Sequence, residues 1–417
     1  MLMNEATWKY VLEHQNDDVR RLALQGTRDD EVNLQQALQQ IAGRQSARRK
    51  LPTWAATDGI VYPPHLNMEQ CSSEQTARYK ASIAQGFLSK GGENSVFVDL
   101  TGGFGVDFYW MSQGFSQRVY VERDASLCAI AAHNFQVLDF PCSVCCRTTA
   151  THLAEMPHAT LVFMDPARRD EHGGRTYGMA DCSPNVLQLL PQLMQKTDRL
   201  MLKLSPMLDW RKAVSDLQGA SADGSPVAFV SEVHIVSVGN ECKELLLVVG
   251  KEPAERLHLC CVNDNQKFET EQGGGFVGAN FGTTFGKVPF YSEESTSAFF
   301  LYEPNASIMK AGCFAELAQR YQVSPVSTNS HLFLSSVEIG DFPGRVFRIS
   351  SISTMNKKEM KQHLDGLSQA NISVRNFPLS ADQLRKKLKI KDGGDVYIFA
   401  TTVQNGEHKL FICRKIS

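Results

Sequence analysis

A chain of 417 residues, 42% hydrophobic and 21% charged with a net charge of −2, has room for two to four domains of about 100–200 residues and is too apolar for wholesale disorder. The start MLMNEATWKY has no basic end followed by an apolar run, and no later window holds about 18 uninterrupted apolar residues. Neither a leader nor a membrane span is expected, and the expected compartment is the cytoplasm. Eleven scattered cysteines, an odd number, suit reduced thiols. No metal site is expected: CSVCC at Cys142 to Cys146 lacks a second pair at zinc spacing, and its alternation predicts small buried residues of a short strand.

Residues 1–66 read as a helical domain, because ATWKYVLEHQ, DDVRRLALQG and NLQQALQQIAGRQSARRK repeat apolar residues every three or four positions, with Asp or Asn near each start. LPTWAATDGIVYPP ends that pattern. Ser72 or Ser73 then caps a further helix with Glu74 and Gln75 in its first turn. Residues 67–255 read as one α/β domain in which SVFVDL, RVYVE, CSVCC, TLVFMDP and RLMLKLSP alternate with helical stretches, predicting a mostly parallel, Rossmann-like sheet. EVHIVSV and ELLLVVG are separated only by GNECK, too short for a crossover, so they predict a closing antiparallel hairpin and seven strands in all. Residues 256–340 read as a small mixed domain. Residues 341–417 predict β-α-β-α-β-β with a hairpin at Asn405-Gly406, and carry 14 Lys and Arg against 7 Asp and Glu.

The first strand runs into Asp99-Leu-Thr-Gly-Gly-Phe-Gly105, a glycine turn of the kind that lets a backbone approach a nucleotide. The acid disfavours a pyrophosphate and favours a cationic amine. Glu122, at the end of the second strand, is placed to accept hydrogen bonds from ribose hydroxyls. The ligand that joins an ammonium, a sulfonium and a nucleoside is S-adenosylmethionine, for which Asp99, Thr101, Gly102, Gly103, Gly105 and Glu122 are the expected contacts. The plainer alternative is that Asp99 caps the turn, Glu122 is solvated and the glycines only permit tight packing.

These features resemble class I S-adenosylmethionine-dependent methyltransferases, whose glycine motif is roughly D-x-G-x-G-x-G; Thr101 stands where the first glycine would be, and the third strand is followed by RTTATHL without the usual acid. Asp165 and Pro166, closing the fourth strand, resemble the (D/N/S)-P-P-x motif of amino-methyltransferases, with Ala167 in place of the second proline. The resemblance implies that Asp165 and Pro166 position an amine acceptor. Arg168 and Arg169 suit phosphate contacts or pairing with nearby acids. Lys203 and Ser205 could line the target pocket or hold the strand end. Carbon-5 methylation of a pyrimidine needs a cysteine nucleophile, whereas this strand ends in Ser205-Pro206 and Cys242 lies in a hairpin, so nitrogen methylation is favoured.

Together with KLSPMLD, NECKELLL, LYEPNASIMKAG and LRKKLKIKDGGD, these segments resemble bacterial class I methyltransferases carrying a C-terminal THUMP-like domain after a ferredoxin-like one. The resemblance implies an RNA-modifying enzyme acting on tRNA or rRNA; beside such a core, the basic run with Arg385, Lys386 and Lys387 reads as a phosphate-binding face, with a solvated face as the plainer alternative. A protein or small-molecule methyltransferase, or a non-catalytic RNA-binding protein that retains the fold, are the alternatives.

Overall fold

A computed structural model of the chain describes residues 3–88, 94–168, 178–219, 226–273, 285, 289–291 and 299–416. It divides into two compact units, one of residues 1–231 and 246–255, the other of residues 232–245 and 256–417.

In the first unit, helices Glu5–His14, Val19–Gln25 and Leu34–Lys50 begin where expected, each N-capped by the side chain of Asn4, Asp18 or Asn33. The segment expected to end the helical pattern adds one further turn, Pro52–Ala55, because a proline at the first helical position costs no hydrogen bond. Trp54 and Tyr62 from this region are buried in one core with Phe97, Phe108, Phe135 and Phe163 of the α/β layer. The Asn134 carboxamide satisfies both the N–H and the C=O of Val61. The end of the helical region, from Ala47 onward, therefore joins the α/β core, whereas Val11, Leu22, Val32, Ala37 and Ile41 form a cluster of their own.

The strands are β1 Val96–Asp99, β2 Gln117–Glu122, β3 Ser143–Cys146, β4 Ala159–Met164, β5 Thr197–Leu204, β6 Phe229–Val238 and β7 Glu241–Gly250. Their order is β6-β7-β5-β4-β1-β2-β3, with β1 parallel to β2 and β4, β2 to β3 and β4 to β5. The order reverses between β1 and β4, so the carboxyl ends of β1, β2 and β4 open onto the crevice where such sheets bind ligands. The hairpin turns on Gly239 and Asn240, both at positive φ, as a tight two-residue turn between right-twisted strands requires. One expectation is corrected: Cys146 is exposed and Cys142 and Cys145 are half-buried, because β3 is the edge strand of the sheet and its side chains are covered by fewer neighbours.

In the second unit, residues 232–237 of β6 pair in parallel with β8 Arg256–Asn263, which pairs antiparallel with β9 Gln266–Gly273. A separate sheet has the order β11-β12-β10-β13-β16-β15-β14, where β10 is Phe300–Pro304, β11 Ser324–Pro325, β12 Phe333–Ser335, β13 Gly344–Thr354, β14 Asn371–Arg375, β15 Val396–Thr402 and β16 His408–Lys415. Helices Lys357–His363 and Ala381–Leu388 complete the β-α-β-α-β-β pattern read from residues 341–417. Among the described residues, no helix is long and apolar enough to cross a membrane.

Candidate active site

Asp99 closes β1 and is 1% exposed. Its Oδ1 accepts the Thr101 backbone N–H at 2.9 Å and lies 3.4 Å from the Thr101 hydroxyl. The same hydroxyl oxygen accepts the Asp165 backbone N–H at 2.6 Å. The threonine standing in place of a motif glycine thus ties the turn after β1 to the end of β4, which a glycine has no side chain to do.

The turn beyond it is shaped by close approach. A Cβ on Gly102 would fall 2.1 Å from the Tyr120 ring, and the Tyr120 hydroxyl donates to the Gly103 carbonyl at 2.5 Å. Gly103 and Gly105 have φ of +54° and +88°, conformations that other residues adopt only at a cost. Gly102→Ala should therefore force the turn off Tyr120, destabilising the protein by roughly 1–3 kcal/mol and abolishing any rise in melting temperature with S-adenosylhomocysteine. Thermal denaturation with and without that ligand checks both; an unchanged ligand shift would show that the turn makes no contact with it.

Glu122 closes β2 and is half-buried. One carboxylate oxygen accepts the Gly103 N–H at 3.0 Å, and the other accepts the N–H groups of Arg123 and Asp124 at 2.8 and 2.9 Å. It braces the glycine turn, and a carboxylate's four lone-pair sites leave capacity for a hydroxyl donor. After β3, where no acid occurs, the Thr149 hydroxyl donates to the Leu100 carbonyl at 2.8 Å and so closes the rim of the crevice beside the turn.

Asp165 follows β4 with its side chain 38% exposed. Its Oδ2 lies 2.6 Å from Lys203 Nζ on β5, and that ammonium is 3.5 Å from Asp107 Oδ2. Asp107 in turn meets the fully buried Lys80 ammonium at 3.1 Å and accepts the Ser72 hydroxyl at 2.7 Å. A chain of alternating charges thus runs inward from the exposed edge of the site. Burial pushes the Asp107 carboxyl upward, but Lys80, Lys203 and the Ser72 hydroxyl together outweigh that and hold it below its ordinary range. Sequence reasoning missed Lys80 and Asp107, and it offered Ser72 only as a helix cap, a role that Ser73 takes. Residues so far apart in sequence reveal an ion-pair chain only once folded.

Burial is also the largest influence on Asp99, lifting its carboxyl well above the ordinary range; the Thr101 N–H opposes this, while the charges of Asp107, Asp165 and Glu122 add to it. Among the described residues its hydrogen bonds go to Oδ1 alone. A buried carboxyl with one oxygen uncommitted at a strand end, beside a glycine cradle and a second strand-end acid, fits a cationic amino group attached to a nucleoside. The donor set and cradle therefore suit S-adenosylmethionine.

Of the other expected residues, Pro166 is buried behind Asp165, and Ser205 accepts the Met207 N–H at 3.2 Å, shaping the turn after β5. The backbone of Ala167 and Arg168 pairs antiparallel with Cys182 and Ser183. Arg169 and the Arg168 side chain lie outside the described residues. Arg385 is 2.9 Å from Asp382 and 2.6 Å from Asp392, so its guanidinium is held by carboxylates, whereas Lys386 and Lys387 are exposed on the same helix. Cys242 donates to the Ala306 carbonyl at 3.2 Å and accepts the Ser237 hydroxyl, a structural role within the second unit.

Residues 344–415 match the family described as THUMP domain-like, and residues 300–343 match a ferredoxin-like domain family. A solved structure of a candidate methyltransferase from Porphyromonas gingivalis W83 is 28% identical, covers 100% of both chains and superposes with a TM-score of 0.82. A candidate class I S-adenosylmethionine-dependent methyltransferase from Listeria monocytogenes is 11% identical over 62% of this chain and 93% of that one, with a TM-score of 0.40. A candidate RNA methyltransferase from Pyrococcus horikoshii is 12% identical over 50% and 96%, with a TM-score of 0.34. No curated protein matches the chain. The strand order is that of the Rossmann-like methyltransferase sheet, the chain shares its fold over its full length with the Porphyromonas gingivalis structure, and it carries segments that match a ferredoxin-like and then a THUMP domain-like family toward its C-terminus.

Proposed function

We propose that the protein is an S-adenosylmethionine-dependent methyltransferase that modifies a base nitrogen of tRNA or rRNA. The observation that carries the reading is Asp165, held at the carboxyl edge of the sheet through its backbone by Thr101 and through its carboxylate by Lys203, on the same edge as Asp99 and Glu122. When bound, the cofactor supplies an electrophilic methyl group on its sulfonium. Asp99 would receive its amino group, Glu122 a ribose hydroxyl, and the backbone of Gly102 to Gly105 would lie against it. Asp165 would accept hydrogen bonds from an exocyclic amine and turn the nitrogen lone pair toward the methyl group, with Pro166 stiffening the backbone. Such alignment can supply roughly 7–11 kcal/mol of the barrier without strong base catalysis. A paired base would have to leave its stack to reach the site. The RNA half of the reading is supported by the THUMP domain-like match and by exposed Lys386 and Lys387 in a segment with a net charge of +7.

Incubation of the purified protein with methyl-labelled cofactor and RNA from a strain lacking the gene, followed by nucleoside mass spectrometry, tests this directly. A new N-methylated nucleoside is the expected product. Label entering only protein or small molecules would overturn the RNA assignment, and cofactor binding without any transfer would overturn catalysis.

Asp99 makes the cofactor step pH-dependent. With its folded-state value raised, the empty protein keeps Asp99 protonated from the ordinary carboxylate range up to that raised value, and the associated stability is lost as pH rises through it. A cation at Asp99 favours the ionised form, so binding should release a proton in that window and tighten as pH rises. Calorimetry in two buffers of different ionisation enthalpy should detect this release in the wild type and lose it in Asp99→Asn. Equal proton release in both proteins would remove Asp99 from the contact.

A further inference from the structure

Strands β6, β8 and β9 place a second cluster of chemistry on one sheet face, entirely within the second unit. Cys260 is opposite His234 on the parallel neighbour and opposite Glu269 on the antiparallel one, while His258, two residues before Cys260, projects from the same face. Glu269 Oε1 is the point of convergence. His258 Nε2 lies 3.2 Å from it, Cys260 Sγ 3.8 Å and Lys267 Nζ 2.7 Å.

The geometry points to a transition-metal site of the zinc type with His258, Cys260 and Glu269 as ligands. Zinc binds imidazole nitrogen and carboxylate oxygen at roughly 2.0–2.2 Å and thiolate at roughly 2.3 Å, so tetrahedral ligand atoms stand about 3.5 Å apart. The separations of 3.2 and 3.8 Å from Glu269 bracket that value, and the ligand atoms of all three residues lie within 4.8 Å of one another. The remaining edge, between His258 and Cys260, is at most 4.8 Å and is the one a bound metal would shorten. A thiol, an imidazole and a carboxylate together select zinc or cobalt over magnesium or calcium, which prefer all-oxygen shells.

The surroundings suit a cation in other ways. The Lys267 ammonium on the converging oxygen is half-exposed and would swing out to solvent as the dication takes its place, and the Cys260 thiol gives its proton to solvent. Cys260 is fully buried, whereas the His258 and Glu269 side chains are 37% and 42% exposed, which leaves a path from solvent. His234 flanks the site, buried and held through Nε2 by Glu232 Oε2 at 2.9 Å. Such a metal would join β8 and β9 as a structural clip, and three protein ligands leave a fourth position for water.

Titration of the full-length protein with Co²⁺, followed by competition with Zn²⁺, tests the site independently of the methyltransferase reading. One equivalent should bind with a sulfur-to-cobalt charge-transfer band that Zn²⁺ abolishes, and Zn²⁺ should raise the melting temperature. Cys260→Ser should lose the band, the thermal shift and more than about 10-fold in affinity. Glu269→Gln, at a half-exposed position, should retain the band but weaken binding by a similar factor, and it decides the matter if Cys260→Ser does not fold. A band that survives in Cys260→Ser, an affinity unchanged in Glu269→Gln, or no stoichiometric binding would overturn the assignment.

Discussion

Asp165→Ala should reduce methyl-transfer turnover by about 10²-fold or more while leaving cofactor affinity unchanged or slightly higher. The loss follows from alignment: without the carboxylate, an acceptor amine has nothing at the end of β4 to orient its lone pair, and a misplacement of about 1 Å can cost about 10²-fold. The affinity expectation has a different cause. Asp165 is one of the negative charges that raise the Asp99 carboxyl, so removing it makes Asp99 easier to ionise and better suited to a cation. Lys203→Met should show a smaller defect, confined to kcat, because Asp165 remains but loses the ammonium 2.6 Å from its Oδ2. Single-turnover transfer rates beside calorimetric cofactor affinities separate these effects. Undiminished turnover in Asp165→Ala would remove it from the reaction and leave Asp165-Pro166 as the end of a strand.

Lys80→Met should destabilise the protein by about 3–5 kcal/mol, the range seen when one partner of a buried ion pair is removed. Lys80 is fully buried, with its ammonium 3.1 Å from both Asp107 Oδ1 and the Ser72 hydroxyl. Without it, Asp107 keeps the Ser72 hydroxyl and, for charge, Lys203, which is 3.5 Å away and already closer to Asp165. The double change Lys80→Met with Asp107→Leu should recover much of the loss, since it removes both of these buried charges. The pH dependence follows from Asp107, whose carboxyl is held below the ordinary range. Its contribution is present above the unfolded-state value and is lost as pH falls through the folded one, so wild type and Lys80→Met should converge in acid. Urea denaturation at neutral and acidic pH measures this, and equal stability at neutral pH would mean that water or another group replaces Lys80.

Features whose cause is local were legible in the sequence. The glycines after Asp99 announce a turn because their neighbours cannot adopt the backbone angles or the close approach to Tyr120. Alternation of short apolar strands with helices implies parallel pairing, and two residues between β6 and β7 permit only an antiparallel hairpin. The first-turn caps of the N-terminal helices were equally readable, because a cap bonds a backbone N–H two or three residues away. Even the mistaken burial of the CSVCC strand has this origin: alternation reports that a strand has two faces, but not that the strand lies at an edge.

What only the tertiary structure decided are the relations that join distant segments through space. Thr101 becomes a link between two strand ends because the β1 and β4 ends are neighbours. Lys203, one of the residues expected to line a target pocket or hold the strand end, meets Asp165 and Asp107, which lie far from it in sequence. Arg385 finds Asp382 and Asp392 rather than solvent. His258, Cys260 and Glu269 share a sheet face only because β8 and β9 pair in one register, and a shift of a single residue would turn Glu269 to the opposite face. Sequence by itself determined which backbone shapes each segment could take and which charges each end carried; folding decided which charges meet, because an ion pair or ligand set depends on distances of a few ångströms that spacing along the chain does not encode.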